Sequence, residues 1–143
     1  MPIQVAIADD HKVFRRMLRA LLELAPDLHV AAEAGSGPEL LALVHTAGID
    51  VVCMDISMPG MDGIETTRQL LAVQPRIKVI GMSSYTEQHF IDAMLRAGAC
   101  GYLTKADAAD HLSDGIRAVA ASRPFFGPGI SAGSEAAAST GKV

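Results

Sequence analysis

Short apolar runs alternate along this chain with stretches in which apolar residues recur every three or four positions. Residues 3–8 (IQVAIA) form a β-branched run that ends at Asp9. Over residues 13–24, Phe14, Met17, Leu18, Leu21 and Leu22 fall at helical spacing, with Arg15, Arg16, Arg19 and Glu23 opposite them, and Pro26 ends the segment. Residues 28–33 (LHVAAE) predict a second strand. Ser36-Gly37-Pro38-Glu39 has the form of a capping box with Pro in the first turn, opening a helix to about residue 47 that Gly48 closes. The run at 51–55 (VVCMD) is almost wholly apolar, as suits a parallel strand covered on both faces. Asp62-Gly63-Ile64-Glu65 predicts a cap for a helix to about Gln74, ended by Pro75. A fourth strand at 77–82 (IKVIGM) follows. Thr86 is a candidate cap for a helix over 87–97 with Gly98 as its stop; residues 100–104 (CGYLT) read as a fifth strand and 107–122 as a last helix.

Five successive β-α units predict an α/β fold, a doubly wound five-stranded parallel sheet with helices on both faces. In such sheets the functional crevice lies beyond the carboxyl ends of the strands. Those ends carry Asp9-Asp10, Asp55, Ser83-Ser84 and Thr104-Lys105. Three carboxylates brought together repel one another unless a cation neutralises them. An oxygen donor set suits Mg2+. A carboxylate can also act as a nucleophile and form an aspartyl phosphate. Asp55, on the central strand, is best placed for that role. Asp9 and Asp10 then become metal ligands, Lys105 a fixed positive charge and Ser83 a hydroxyl donor for phosphoryl oxygens.

These residues resemble the response-regulator receiver domain of two-component signalling. The resemblance rests on VAIADDH (5–11), VVCMDISMPGMDGIE (51–65), VIGMSS (79–84) and AGACGYLTK (97–105), in that order, and spans residues 3 to about 123. The DDH, DGIE and GYLTK details look most like the NarL/LuxR-type subclass. The resemblance implies a flavodoxin-like sheet with strand order 2-1-3-4-5. It implies Asp55 as phosphoryl acceptor and Mg2+ held by Asp9, Asp10, Asp55 and the backbone carbonyl of Ser57. Ser83 would be the switch hydroxyl, Tyr102 the switch aromatic, and Lys105 a contact to the phosphoryl group. Pro59 and Gly63 would shape the loop after the acceptor. The implied partners are a sensor histidine kinase or phosphotransfer protein, docking near the first helix, where Arg15, Arg16 and Arg19 are candidates to meet it. A phosphorylation-dependent homodimer is open. The output surface would be that of the fourth helix, fifth strand and fifth helix, with Phe90, Met94 and Tyr102 as contributors. Tyr85 is a candidate gate over the phosphate. His11 reads as a surface residue, or as part of the docking face.

Composition narrows the class. Half of the 143 residues are apolar, 20% are charged and the net charge is −4. That suits a globular domain and speaks against one whose own bulk charge draws nucleic acid. DNA binding would therefore need a C-terminal domain outside this chain. No apolar run reaches the roughly 20 residues of a membrane span, and the N-terminus lacks the features of a signal peptide. Cys53 and Cys100 form no zinc or redox pattern, so a cytoplasmic setting with reduced thiols is expected. A haloacid-dehalogenase-type phosphatase would need a second acid two positions after Asp55, where Ser57 stands. A nucleotide-binding fold would need a phosphate-cradling loop where Asp9-Asp10-His11-Lys12 stands. The expected role is therefore phosphoryl acceptance rather than turnover of an external substrate. Past residue 123 the chain becomes small and polar, which predicts a receiver over 1–123 and a linker or flexible tail over 124–143.

Overall fold

The structure, a computed structural model, describes residues 1–84 and 86–131. The strands are β1 (Ile3–Ala8), β2 (Leu28–Ala34), β3 (Val51–Asp55), β4 (Lys78–Ser83), β5 (Gly101–Thr104) and β6 (Phe125–Phe126). The helices are α1 (Lys12–Leu22), α2 (Gly37–Leu43), α3 (Gly63–Val73), α4 (Gln88–Ala97) and α5 (Lys105–Ala120). All strand pairs are parallel, in the order β2-β1-β3-β4-β5-β6. The expected five-stranded order is present, and a sixth strand extends it.

Period-two alternation splits the core in two. Ala6, Ala8, Val52, Met54, Val79 and Tyr102 face α2, α3 and α4, where Leu40, Leu70, Ile91 and Met94 pack on them. Val5, Ile7, Val51, Cys53, Ile80 and Leu103 face α1 and α5, meeting Leu18, Leu22, Leu112 and Ile116. Every residue of β3 is buried, which explains its unbroken apolar run. Among the described residues no helix is long and apolar enough to cross a membrane.

Several element ends differ from the sequence expectation. Ser36 does cap α2, accepting from the Glu39 N–H at 3.3 Å, and the Glu39 carboxylate reaches back to the Gly35 N–H at 2.6 Å. The helix nevertheless stops at Leu43, before Gly48. Helix α4 begins after Glu87 without a side-chain cap, so Thr86 does not serve. Helix α5 starts at Lys105, two residues early, because the Thr104 hydroxyl accepts from the Asp107 N–H at 3.3 Å. That cap puts Lys105 in the first turn, directly after β5.

Beyond residue 123 the chain stays attached to the domain as far as it is described. Phe125 and Phe126 pair with Gly101 and Tyr102, and the Gly127 N–H donates to the Tyr102 carbonyl at 3.0 Å. Ile130 is buried in the cluster that contains Tyr102 and Met94. Residues 132–143, the rest of the expected tail, lie outside the described residues.

Candidate functional site

Strands β1, β3, β4 and β5 end at one edge of the sheet, so the residues that follow them converge. Asp9 is fixed first. Its N–H donates to the Ala34 carbonyl at 3.0 Å, and its Oδ1 accepts from the His11 N–H at 2.8 Å. Its carbonyl accepts from the Arg15 guanidinium, which Glu33 holds through Nε at 3.0 Å. Arg19 also pairs with Glu33, at 2.7 Å. Two of the three arginines expected on a docking face thus brace β1 and β2 from within the domain, while Arg16 is exposed.

Asp55 is the last residue of β3 and only 1% exposed. Its Oδ1 accepts from the Ser57 N–H at 3.2 Å. The loop that follows is pinned on both sides, by Ile56 N–H donating to Met82 at 3.0 Å and by Gly63 N–H donating to Ile56 at 2.8 Å. A Cβ at Gly63 would lie 2.1 Å from the Asp55 carbonyl oxygen. Only glycine lets α3 start that close to the end of β3.

Lys105 reaches in from α5. Its Nζ is 2.9 Å from Asp9 Oδ2 and 3.2 Å from Asp55 Oδ2, and it lies 5.0 Å from the centre of the Phe14 ring. These are ion-pair distances. Neither Asp9 Oδ2 nor Asp55 Oδ2, both buried, has a hydrogen bond. One ammonium therefore serves two buried carboxylates and fully satisfies neither. Burial, with Asp9 alongside, pushes the Asp55 carboxyl up to about 7 against the pull of Lys105. Asp10 is partly exposed and turns toward the same centre. One ligand atom from each of Asp9, Asp10, His11 and Asp55 lies within 4.8 Å of the others. Two buried carboxylates that share a single lysine, in an oxygen-rich cluster, fit a divalent cation.

The cluster opens into a cleft of about 240 Å3 lined by His11, Asp55, Ser57, Ser84 and Lys105. Asp9, Asp10, Asp55, Ser57 and Lys105 thus come together. Ser83 lies at the end of β4, in register with Thr104, but it is buried and bonded to the Tyr102 side chain; it is Ser84 that faces the cleft. Tyr102 is fully buried, and burial raises its phenol above the ordinary range, tempered by the Ser83 bond. Met94 is fully buried too, and Phe90 half-buried, so Met94 and Tyr102 do not furnish side chains to an output surface. Tyr85 lies outside the described residues.

Four residues at the site, His11, Phe14, Arg15 and Ser84, stand out less in the sequence than their positions warrant. The signal for His11 was its place beside an acid pair at a strand end. Phe14 had only helical periodicity to mark it, and Arg15 stood among the arginines expected on a docking face.

A parallel sheet of this order with an acidic pocket and an opposing lysine at its carboxyl edge defines a receiver-type signalling domain. The chain belongs to the response regulator receiver domain family, which matches residues 5–117. It is 34% identical over 128 residues to the transcriptional regulatory protein DegU of Brevibacillus brevis, covering 90% of this chain and 54% of that protein. It is 37% identical over 128 residues to the response regulator GacA of Pseudomonas aeruginosa, covering 90% of this chain and 60% of that protein. The chain thus spans little more than half the length of these relatives. Among solved structures, a LuxR-family two-component response regulator from Aurantimonas sp. SI85-9A1 matches with a TM-score of 0.87 and 29% identity, across all of both chains.

Proposed function

We propose that this domain receives a phosphoryl group on Asp55 from a phosphohistidine of a sensor kinase or phosphotransfer protein. The observation that carries the reading is the pair of buried carboxylates, Asp9 and Asp55, held against one lysine with two oxygens lacking hydrogen bonds. Such a pocket is short of positive charge and open to a cleft. Asp9, Asp10, Asp55 and the Ser57 carbonyl would hold Mg2+. When bound, the ion supplies charge neutralisation for the phosphoryl oxygens.

The chain's own groups do the rest. The Ser57 N–H orients the Asp55 carboxylate. In the transfer, an Asp55 oxygen forms a bond to phosphorus as the histidine nitrogen–phosphorus bond breaks, and the imidazole leaves and takes up a proton. Lys105 then balances the new negative charge. Drawing Ser83 toward the phosphoryl group would perturb its bond to Tyr102 and so bias the β4-α4-β5 region. The output is a conformational change rather than turnover of an external substrate.

We propose further that the domain acts in the cytoplasm as the receiver of a longer, DNA-binding transcription regulator, since relatives named as transcriptional regulators extend well beyond the matched region. DNA contact would belong to that additional region. Intact-mass measurement after incubation with acetyl phosphate tests the core reading. One phosphoryl group per chain with Mg2+ and none with a chelator is expected. Labelling that ignores Mg2+ would count against the pocket.

A further inference from the structure

The segment after α5 runs across the edge of β5 and ends on α4. The chain leaves α5 through Ser122, whose φ of 61° is the only positive value at a non-glycine residue among those described. A residue kept in that region is held there by what surrounds it. The Phe125 N–H donates to the Cys100 carbonyl at 3.2 Å and the Gly127 N–H to the Tyr102 carbonyl at 3.0 Å. Residues 127–130 then have the form of a type II turn. Pro128 precedes Gly129 at φ 74°, and the Ile130 N–H donates to the Gly127 carbonyl at 3.0 Å. Ile130 enters the core cluster and is 8% exposed. The Ser131 carbonyl accepts from Nε2 of Gln88, the first residue of α4, at 3.3 Å.

The track is shaped for this segment. A Cβ at Gly101 would stand 2.6 Å from the Phe125 carbonyl oxygen, and one at Gly115 would stand 2.8 Å from the Phe125 ring. Yet the attachment is thin. Strand β6 has two residues, Phe125 and Phe126 are half-buried, and Pro128 and Gly129 are exposed. Few hydrogen bonds and one buried side chain fix the segment, so it can open while the rest of the sheet stays folded.

The segment also rests on Tyr102, which pairs with Phe126. The Tyr102 ring shares the space beside Gly81 with Met94, and its side chain bonds to Ser83. Ile130 is buried in the same cluster as Tyr102 and Met94. A Ser83 hydroxyl drawn to a phosphoryl group on Asp55 gives up its bond to Tyr102. The residue that loses that bond is the one on which the segment is seated.

We propose that residues 125–131 form a strap, closed over β5 and onto α4 in the unphosphorylated domain and released when Asp55 is phosphorylated. This deepens the phosphoryl-acceptor reading and rests on it. By linkage, loosening the strap favours the phosphorylated state as much as phosphorylation loosens the strap. In the longer regulator proposed above, the strap lies between the receiver and the region that follows. It gives the switch a covalent route out of the domain.

Amide hydrogen exchange of the full chain, read by NMR with and without acetyl phosphate and Mg2+, tests this. Intact mass reports the phosphoryl group in the same samples. Phosphorylation is expected to speed exchange at Phe125 and Gly127 by about tenfold or more, leaving Ile7 and Val52 in the central strands unchanged. In Tyr102→Phe, which lacks the hydroxyl that meets Ser83, the same two amides should exchange fast from the start, and phosphorylation should add less than about twofold. Ile130→Ala, which loosens the strap at its far end, should raise the phosphorylated fraction about twofold or more at subsaturating acetyl phosphate. Phosphorylated wild type with unchanged or slower exchange at Phe125 and Gly127 overturns the strap and leaves the acceptor reading standing. So does equal acceleration at Ile7 and Val52, which would report opening of the whole domain. Wild-type protection or a full response in Tyr102→Phe, or an unaltered phosphorylated fraction in Ile130→Ala, also overturns it. Wild type that takes up no phosphoryl group overturns the strap together with the acceptor reading.

Discussion

Lys105 Nζ lies 3.2 Å from Asp55 Oδ2 in the buried pocket at the end of β3. The ammonium also serves Asp9, at 2.9 Å, so its pull on Asp55 is divided; burial, with Asp9 alongside, raises the Asp55 carboxyl to about 7 from its ordinary 3.8. Asp55 thus carries its negative charge at a cost before any ligand arrives.

A dependence of stability on pH follows. Asp55 titrates higher folded than unfolded, so the folded state holds its proton more tightly and loses stability as pH rises from about 4 to 7. In metal-free protein, Asp55→Asn should therefore raise stability at pH 8, by up to about 4 kcal/mol at roughly 1.4 kcal/mol per pH unit, with the gain shrinking toward pH 4. Thermal melts in chelator across that range check it. A variant less stable than wild type at pH 8 would show that the Lys105 pair outweighs desolvation.

Gly63 sets the approach of α3 to Asp55. A Cβ there would also stand 2.8 Å from Ile56 Cα, and backbone cannot move aside as a flexible side chain can. Gly63→Ala should cost at least about 2 kcal/mol in urea unfolding and weaken Mg2+ binding, because the loop bearing Ser57 must shift. Wild-type stability and affinity in that variant would mean that the helix start is free to move.

The Ser83–Tyr102 bond joins the end of β4 to β5 inside the core. Tyr102→Phe should cost about 1 kcal/mol, and Ser83→Ala should cost less in that background than in the wild type. Additive losses in the double-mutant cycle would mean that the two side chains are not coupled.

Strand β6 makes the segment after residue 123 part of the folded unit. The Phe125 ring sits where a Cβ at Gly115 would approach to 2.8 Å, so α5 and β6 close on each other without spare room. Ending the chain at Arg123 should lower stability by about 2 kcal/mol, since it uncovers the Tyr102 edge and removes Ile130 from the core. A linker would give no change in the melting temperature.

The alternating pattern carried most of this fold. Apolar runs of four to seven residues located β1 to β5 because each is buried on one or both faces. Strand β6 was not legible: it spans two residues, flanked by Pro124 and Gly127, and no periodicity can mark so short a pairing. The early start of α5 depended on Thr104 acting at once as strand end and cap, which local propensity does not distinguish. In the site, residue type and position at strand ends were enough to bring forward Asp9, Asp10, Asp55 and Lys105. The orientation of Ser83 toward Tyr102, and of His11 into the acid cluster, depends on side-chain rotamers that spacing does not determine.

The central claim concerns one carboxylate, and locating the label tests it most directly. Protein phosphorylated by acetyl phosphate with Mg2+ can be reduced with borohydride, digested and mapped by mass spectrometry. The account predicts a single modified residue, Asp55, and no label on Asp55→Asn. A label on any other residue of the wild type, or full labelling of the Asn variant, would contradict it.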